Sequence, residues 1–225
     1  MPLPSDCLDV IAGARDPSLG PLIAPWPVPG GISEVEFSTF AAWRGFVLDL
    51  GLRRAAPDIV AAKFERAQKL YILAWLDFDL VKAGELVALT ALELALTDRY
   101  AGEETARRTE LVARKAKREN RAPSKKERWW TGYTSFADLL KFMVERDGLS
   151  DDEVPMNRRC GPASKAIGRL TGETRPSLSD IRNDLAHGAP IEGFPSAGLL
   201  ELARDLIDYA YRDWPLRENR VRDLS

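Results

Sequence analysis

Ser177-Leu-Ser-Asp-Ile-Arg-Asn-Asp-Leu-Ala-His-Gly188 carries its own signals for the start and the end of a helix. Ser177 and Asp180 have the spacing of a capping box, in which each side chain accepts a hydrogen bond from a free N–H of the first turn. Gly188 followed by Pro190 is typical of a helix end. Three apolar residues between these signals give the helix a seam that can be buried: Ile181, Leu185 and Ala186.

The polar residues of this helix are the candidates for chemistry. His187 is the only histidine of the chain, so imidazole chemistry near neutral pH has one carrier. Asn183 lies one turn earlier on the same face, whereas Arg182 starts about 140° round the helix and reaches that face only through its long side chain. Two interpretations stay open: an Arg/His pair that handles a phosphodiester, or a histidine that caps its helix beside a solvated arginine.

The segment RNDLAH, residues 182–187, resembles the R-X4-6-H signature of the HEPN superfamily, with the polar residue that commonly follows the arginine. A second resemblance lies upstream, where ALTALELALTDR, residues 88–99, is similar to the ALExAL-type helix that precedes the signature in these domains. The resemblance spans roughly residues 57–212 of the chain. Two similar helices in the family's order make it more specific than the short signature alone.

HEPN domains are multi-helix bundles, and many are metal-independent endoribonucleases of toxin–antitoxin, abortive-infection and other antiviral systems. The resemblance implies that Arg182 stabilises charge on the scissile phosphate and that His187 transfers protons while the ribose hydroxyl attacks. Asn183 would orient His187 or bond the phosphate. The resemblance also implies a homodimer with these helices near the two-fold axis, so that each copy supplies a second Arg/His pair.

Two features of the family leave the function open. In one large HEPN group a tyrosine two residues after the histidine is adenylylated by an antitoxin, but this chain has Ala189 there, which puts that form of regulation in doubt. Some HEPN domains keep the fold and act as binding or assembly modules. The alternative function is therefore a non-catalytic RNA-binding or scaffold module, and an antitoxin or other regulatory partner stays an expectation.

Glu93 is the one charge in the middle of the apolar upstream helix. A buried carboxylate needs a partner, and by analogy with the family that partner is Arg182, which makes Glu93 a supporting residue of the site. The alternative is that Glu93 faces water on a narrow polar strip.

Residues 107–128 are strongly basic. They contain ten lysines and arginines against three glutamates, a net charge of +7, which leaves −9 for the rest of a chain whose total is −2. Such asymmetry favours phosphate binding, and neighbouring aromatic rings can stack on bases. The alternative is a solvated basic surface with core tryptophans. The candidate RNA-binding residues are Arg114, Lys115, Lys117, Arg118, Arg121, Lys125, Lys126, Arg128, Trp129 and Trp130.

Composition limits the other classes of function. The apolar share of 45% is ordinary for a globular protein, and charges interrupt the most apolar tract, residues 71–96, so we expect no membrane span. Because the chain has only two cysteines and they are far apart, we expect a reduced, cytoplasmic protein. Cys7 and Cys160 are far apart and, with one histidine, cannot build a zinc site. The chain contains no HExxH, Walker or GxSxG motif, so we expect no cofactor and no metal.

Hydrophobic spacing predicts an all-α fold, a multi-helix bundle of HEPN type. Residues 1–33 are rich in proline and read as an extended arm without a regular helix. Residues 34–215 form a single helical domain with a basic insert at about 106–130, and residues 216–225 form a frayed tail. We expect Ser33 and Glu36 to cap a helix, the chain to turn near Gly84, and Pro123 with Ser124 to break a helix.

Overall fold

The computed structural model describes residues 5–161, 166–188 and 195–217. These ranges are mostly helical, which confirms the helical fold class, and they contain one two-stranded antiparallel sheet. The α-helices in chain order are α1 (Ser5–Ala14), α2 (Phe40–Asp49), α3 (Asp58–Leu73), α4 (Leu80–Arg118), α5 (Lys125–Gly132), α6 (Phe136–Glu145), α7 (Pro155–Cys160), α8 (Ile167–Thr171), α9 (Leu178–Ala186) and α10 (Leu199–Ala210). The strands are β1 (Leu22–Val28) and β2 (Gly31–Phe37).

The N-terminal region corrects the prediction that residues 1–33 are an extended arm without a regular helix; residues 1–4 of this arm lie outside the described ranges. It contains α1 and the β1–β2 hairpin, and the expected boundary at residue 33 lies inside β2. Prolines are tolerated here because both strands of a two-stranded sheet are edge strands, where a missing N–H costs no inner ladder bond. Alternate residues of β1 are buried, and the proline content concealed this pattern: Leu22, Ala24 and Trp26.

The prediction that a helix starts at Ser33 is also wrong, because Ser33 and Glu36 lie in β2 and pair with residues of β1. The helix begins later, at Phe40, where the Thr39 hydroxyl accepts a hydrogen bond from the Ala42 N–H at 3.2 Å. Threonine is among the preferred N-cap residues because its hydroxyl can accept a hydrogen bond from a free N–H of the first turn.

Helix α4 is the centre of the bundle and packs against α3, α6, α9 and α10. Its residues Leu89, Leu92 and Leu96 are fully buried, as expected for a helix that is apolar on several sides. It continues without a break for 39 residues, so the predicted turn near Gly84 is wrong. The chain turns before α4 begins, between Ala74 and Asp79. The predicted break at Ser124 is confirmed, since Ser124 caps α5.

Gly84 lies inside α4 because α3 approaches it closely. A Cβ atom at this position would lie 2.6 and 2.8 Å from ring carbons of Tyr71, a residue of α3 that is buried in the protein core. The glycine that resembles a helix break in the sequence is therefore a packing requirement between two helices.

A buried ionic cluster fastens the hairpin and α7 to α10. The Trp26 indole N–H donates to Glu201 at 2.9 Å, the Met156 N–H donates to Asp205 at 2.8 Å, and the Arg204 guanidinium bonds Asp205 at 2.6 Å. These charges are buried but mutually paired, which is the condition for keeping ions inside a protein. This cluster was not predicted from the sequence. Of the predicted tail, residues 218–225 lie outside the described ranges.

Gly84→Ala should lower the free energy of unfolding by about 1–3 kcal/mol, because the added methyl group overpacks the contact with Tyr71. The matched control is Gly102→Ala on the same helix, where a Cβ atom meets nothing within 4 Å. That change should raise stability by up to about 1 kcal/mol through helix propensity alone. Urea unfolding followed by circular dichroism measures both variants, and equal effects would contradict the close packing at Gly84.

Candidate functional site

Helix α9 has the boundaries that the sequence predicts. The Ser177 hydroxyl accepts from the Asp180 N–H at 3.1 Å, and the Asp180 carboxylate accepts from the Ser177 N–H at 3.0 Å. A hydrogen bond from Arg175 and those from Ser177 lower the pKa of Asp180 to about 2. At the other end, Gly188 has a φ of 70°, the left-handed conformation that closes a helix. The capping box and the glycine therefore fix the helix that carries Arg182, Asn183 and His187.

The apolar side of α9 contacts α4 and α6. Leu178 and Ile181 are buried and Leu185 is half-buried against the core. Ala186, which we predicted on the buried seam, is exposed. The packing of this short helix therefore depends on its first two turns, and its C-terminal end is left in contact with solvent.

Arg182 contacts Glu93 of α4, the partner expected by analogy. Its Nη2 and Nε donate to Glu93 Oε2 at 2.7 and 3.1 Å. The Arg182 and Glu93 side chains are 31% and 28% exposed, so this pair lies at the surface of the helix contact and not in the core. Glu93 thus combines the two alternatives, since it has a partner and also faces water.

Asn183 lies between Arg182 and His187. Its side-chain oxygen accepts from Arg182 Nη1 at 3.1 Å, and its backbone carbonyl accepts from the His187 N–H at 2.9 Å. His187 is exposed, and within residues 5–161, 166–188 and 195–217 its imidazole has no hydrogen-bond partner. His187 is the C-cap residue of α9 through its backbone N–H, but within the described part of the chain its imidazole makes none of the bonds to free helix carbonyls that the alternative interpretation expected.

The chain that follows α9 meets α4 again at Ser196. Residues 189–194, which include Ala189 and Pro190, lie outside the described ranges. The Ser196 N–H donates to Glu85, a fully buried carboxylate of α4. The Lys82 ammonium lies 3.5 Å from the other carboxylate oxygen, too far for a strong hydrogen bond. Burial raises the pKa of Glu85 to about 7, while Lys82, Ser196 and Arg169 oppose this rise.

The basic insert forms a helical arm, which we define as residues 104–133 and which consists of the last part of α4 together with α5. Arg108 holds the two helices together. It contacts Glu104 at 2.7 Å and Asp138 at 3.0 Å, and it donates to the Tyr133 carbonyl at 2.8 Å. Its guanidinium also lies over the Trp130 ring at 4.8 Å. Because Arg108 is buried and paired, it is a structural residue of the arm.

All ten candidate RNA-binding residues lie on the arm, and all are exposed. Three of the eight cations are paired with glutamates: Arg114 with Glu110, Lys115 with Glu127, and Arg121 with Glu119 and Glu127. The other five have no acidic partner among the described residues: Lys117, Arg118, Lys125, Lys126 and Arg128. Trp129 is 65% exposed and stacks on Tyr133, with ring centroids 5.4 Å apart. The tryptophans are therefore not core residues.

The predicted site residues lie in two separate groups, one on α9 and one on the arm. The α9 group and the arm are both attached to α4, at Glu93 and from Glu104 onward respectively. Within the described ranges no hydrogen bond or ion pair joins an arm residue to Arg182, Asn183 or His187. Glu85 and Ser196 were not predicted, because a buried glutamate on a helix has the same sequence pattern as an exposed one.

Glu85→Gln should remove a pH dependence of stability between pH 5 and pH 8. In the folded wild type the pKa of Glu85 is about 7 and its ordinary value is 4.5. Between these values the folded state binds more protons than the unfolded state, so the free energy of unfolding falls as pH rises, by on the order of 2–3 kcal/mol. Glu85→Gln should therefore be more stable than wild type at pH 8 and differ less at pH 5.

Urea unfolding at both pH values measures this difference. The matched control is Glu103→Gln, an exposed residue of the same helix, which should keep the wild-type pH dependence. A Glu85→Gln variant with that same dependence would show that Glu85 stays ionised when buried.

No helix of the described residues is long and apolar enough to cross a membrane. Among the same residues no group of three or more histidines, cysteines, aspartates or glutamates is placed to hold a metal ion. In comparisons with known proteins, the chain matches no protein-family model, no curated protein and no solved structure.

Proposed function

We propose that this protein is a HEPN-type endoribonuclease that cleaves RNA at a site formed by Arg182, Asn183 and His187 and does not need a metal. The observation that carries this proposal is the exposed His187 imidazole, which has no described hydrogen-bond partner and lies one turn from an arginine–asparagine pair. An imidazole in contact with solvent can exchange protons with a ribose hydroxyl or a leaving oxygen.

Arg182 keeps donors for a phosphate although it is paired. A guanidinium has five N–H groups, and Arg182 uses three of them within the described residues: two on Glu93 and one on Asn183. The remaining two, one on each Nη, can bind a phosphate oxygen in the charge-assisted geometry that arginine favours. Glu93 is then a positioning residue, because it holds the guanidinium plane without contacting the substrate.

These contacts support a proposed role for each of the three side chains. Arg182 stabilises the charge that develops on the phosphate as the neighbouring ribose hydroxyl attacks, and His187 transfers the proton. Asn183 keeps Arg182 beside the helix turn that ends in His187. In this proposal two copies associate so that a second Arg/His pair completes the site, and the enzyme acts in the cytoplasm in a toxin–antitoxin, abortive-infection or other antiviral system with a regulatory partner.

A second candidate function is a non-catalytic RNA-binding or assembly module. It is favoured by the satisfied Arg182–Glu93 pair, which on its own only fastens α9 to α4, and by the exposed cations and tryptophans of the separate arm. The two functions differ in whether Arg182 and His187 are needed for a chemical step.

Arg182→Ala and His187→Ala should each lower the rate of RNA cleavage by at least about a hundredfold, measured with a chelator present on a labelled RNA. Wild type should cut under these conditions and leave cyclic-phosphate ends, as expected for attack by the ribose hydroxyl. The matched control is Arg217→Ala, which removes a similar half-exposed pair, Arg217–Glu65 at 2.7 Å, far from α9 in sequence. It should cut like wild type.

Circular dichroism and thermal unfolding must show that all variants are folded. Equal cleavage by wild type and both α9 variants, or no cleavage by any of them, would contradict the nuclease and leave the binding module.

A further inference from the structure

A groove of about 560 Å³ lies between the last part of α4 and α5 and is open to solvent. Apolar atoms of Leu111 and Val112 line it beside polar ends of the surrounding residues. Val112 is buried, so this part of the wall is fixed by packing of the two helices. The other lining residues are Arg114, Lys115, Arg118, Glu127 and Trp130. The groove therefore combines an apolar surface with cations at its edge.

The Trp130 ring is held in place at this groove. The buried Arg108 guanidinium lies over it at 4.8 Å, and 37% of the residue is still exposed. An indole that is fixed on one side and open on another loses little freedom when a planar group stacks on it. Trp129 on the same short helix and Tyr133 directly after it form an exposed aromatic pair.

The charge of the arm selects the kind of partner. Glu110 and Glu127 neutralise Arg114 and Lys115, but Arg118 has no acidic partner among the described residues. Four further exposed cations without such a partner lie beside the groove in sequence: Lys117, Lys125, Lys126 and Arg128. The arm, residues 104–133, has a net charge of +6, so two copies of it repel one another; an arm-to-arm contact is disfavoured and a polyanion is favoured.

Aromatic stacking then distinguishes among polyanions. Bases of an RNA duplex are paired and stacked on each other, and the deep, narrow major groove of A-form RNA keeps side chains out. Bases of a single strand are free to stack on tryptophan while cations follow the phosphates. We propose that the groove between α4 and α5 is a binding site for single-stranded RNA, separate from the cleavage site on α9.

The spacing of the two sites gives a length for the bound strand. Lys115 follows Glu93 by 22 residues on one continuous helix, which corresponds to about 33 Å along the axis and a rotation of only about 40°. Helix α6 lies on α4 between them, where Phe142 contacts Tyr100 and Asp138 contacts Arg108. A strand that reaches both sites must cover at least this distance over α6, which a 20-mer can do and a tetramer cannot.

The RNA length depends on the proposed nuclease, whereas binding at the groove does not. Binding is therefore measured in the full-length His187→Ala variant, in which the RNA stays intact, by fluorescence anisotropy of a labelled uridine 20-mer. In this background Trp130→Ala should weaken binding about 5- to 100-fold, the loss expected for one base stack. Trp130→Ala also removes the contact with Arg108, so Trp129→Ala is a second variant at a residue that contacts the arm less. It should also weaken binding.

Charge is tested through salt dependence. The double change Lys117→Ala with Arg118→Ala should lower the slope of log Kd against log salt concentration by about 1.4, because each phosphate contact to a single strand contributes about 0.7. Two controls lie outside the arm: Arg66→Ala, an exposed cation of α3, and Trp214→Ala, a tryptophan of similar exposure to Trp130. Both should bind within about twofold of the His187→Ala background.

Three results would overturn the proposal: arm variants that bind like the controls, a 20-base-pair RNA duplex that binds as tightly as the single strand, or sedimentation showing that the arm substitutions alter only self-association of the protein.

Cleavage assays distinguish failure of the groove proposal from failure of the nuclease proposal. Arm changes in the otherwise wild-type protein should slow cleavage of a 20-mer but not of a tetramer. If the arm variants lose binding and the protein with His187 does not cleave RNA, the groove is supported and the nuclease is rejected. If the arm variants bind normally and cleavage depends on His187, the nuclease is supported and the groove is rejected.

Discussion

The burial of α4 on several sides is the constraint on which the other features depend. Because Leu89, Leu92 and Leu96 are fully buried, the helix cannot rotate about its axis without losing contacts with several neighbours at once. Each polar group of functional interest is held relative to this helix. Glu85 bonds Ser196, Glu93 bonds Arg182, and Arg108 holds the arm. The positions of the candidate groups are therefore set by an apolar core.

Electrostatic pairing along α4 changes from its buried part to its exposed end. Glu85 is desolvated and only partly compensated, the Glu93–Arg182 pair is half-exposed, and the arm carries cations in excess of their partners. The half-exposed Glu93–Arg182 pair and the exposed pairs of the arm contribute little to stability, about 0–1 kcal/mol each. Their main effect is to orient guanidinium groups, as Glu93 does for Arg182.

Local patterns were predictable from the sequence, and contacts between distant segments were not. The capping box of Ser177 and Asp180 depends on neighbouring residues alone, so the boundaries of α9 could be predicted. The role of Gly84 depends on Tyr71 of another helix, and the hairpin was concealed by prolines that only an edge strand tolerates. The cluster of Glu201, Arg204 and Asp205 resembles an ordinary polar helix face until its burial is known. The Arg182–Glu93 contact was expected from a family analogy and could not be derived from spacing.

The unbroken course of α4 also limits how the length of this chain can change. One residue inserted between Glu93 and Lys115 would turn the groove by about 100° relative to α9, whereas it would add only about 1.5 Å of length. A helix therefore transmits insertions mainly as rotation. Residues 119–123, which lie between the end of α4 and the Ser124 cap of α5, are outside this continuous helix, so an insertion there does not rotate α9 relative to the rest of α4. Related chains that differ in length should vary there and keep the interval on α4 constant.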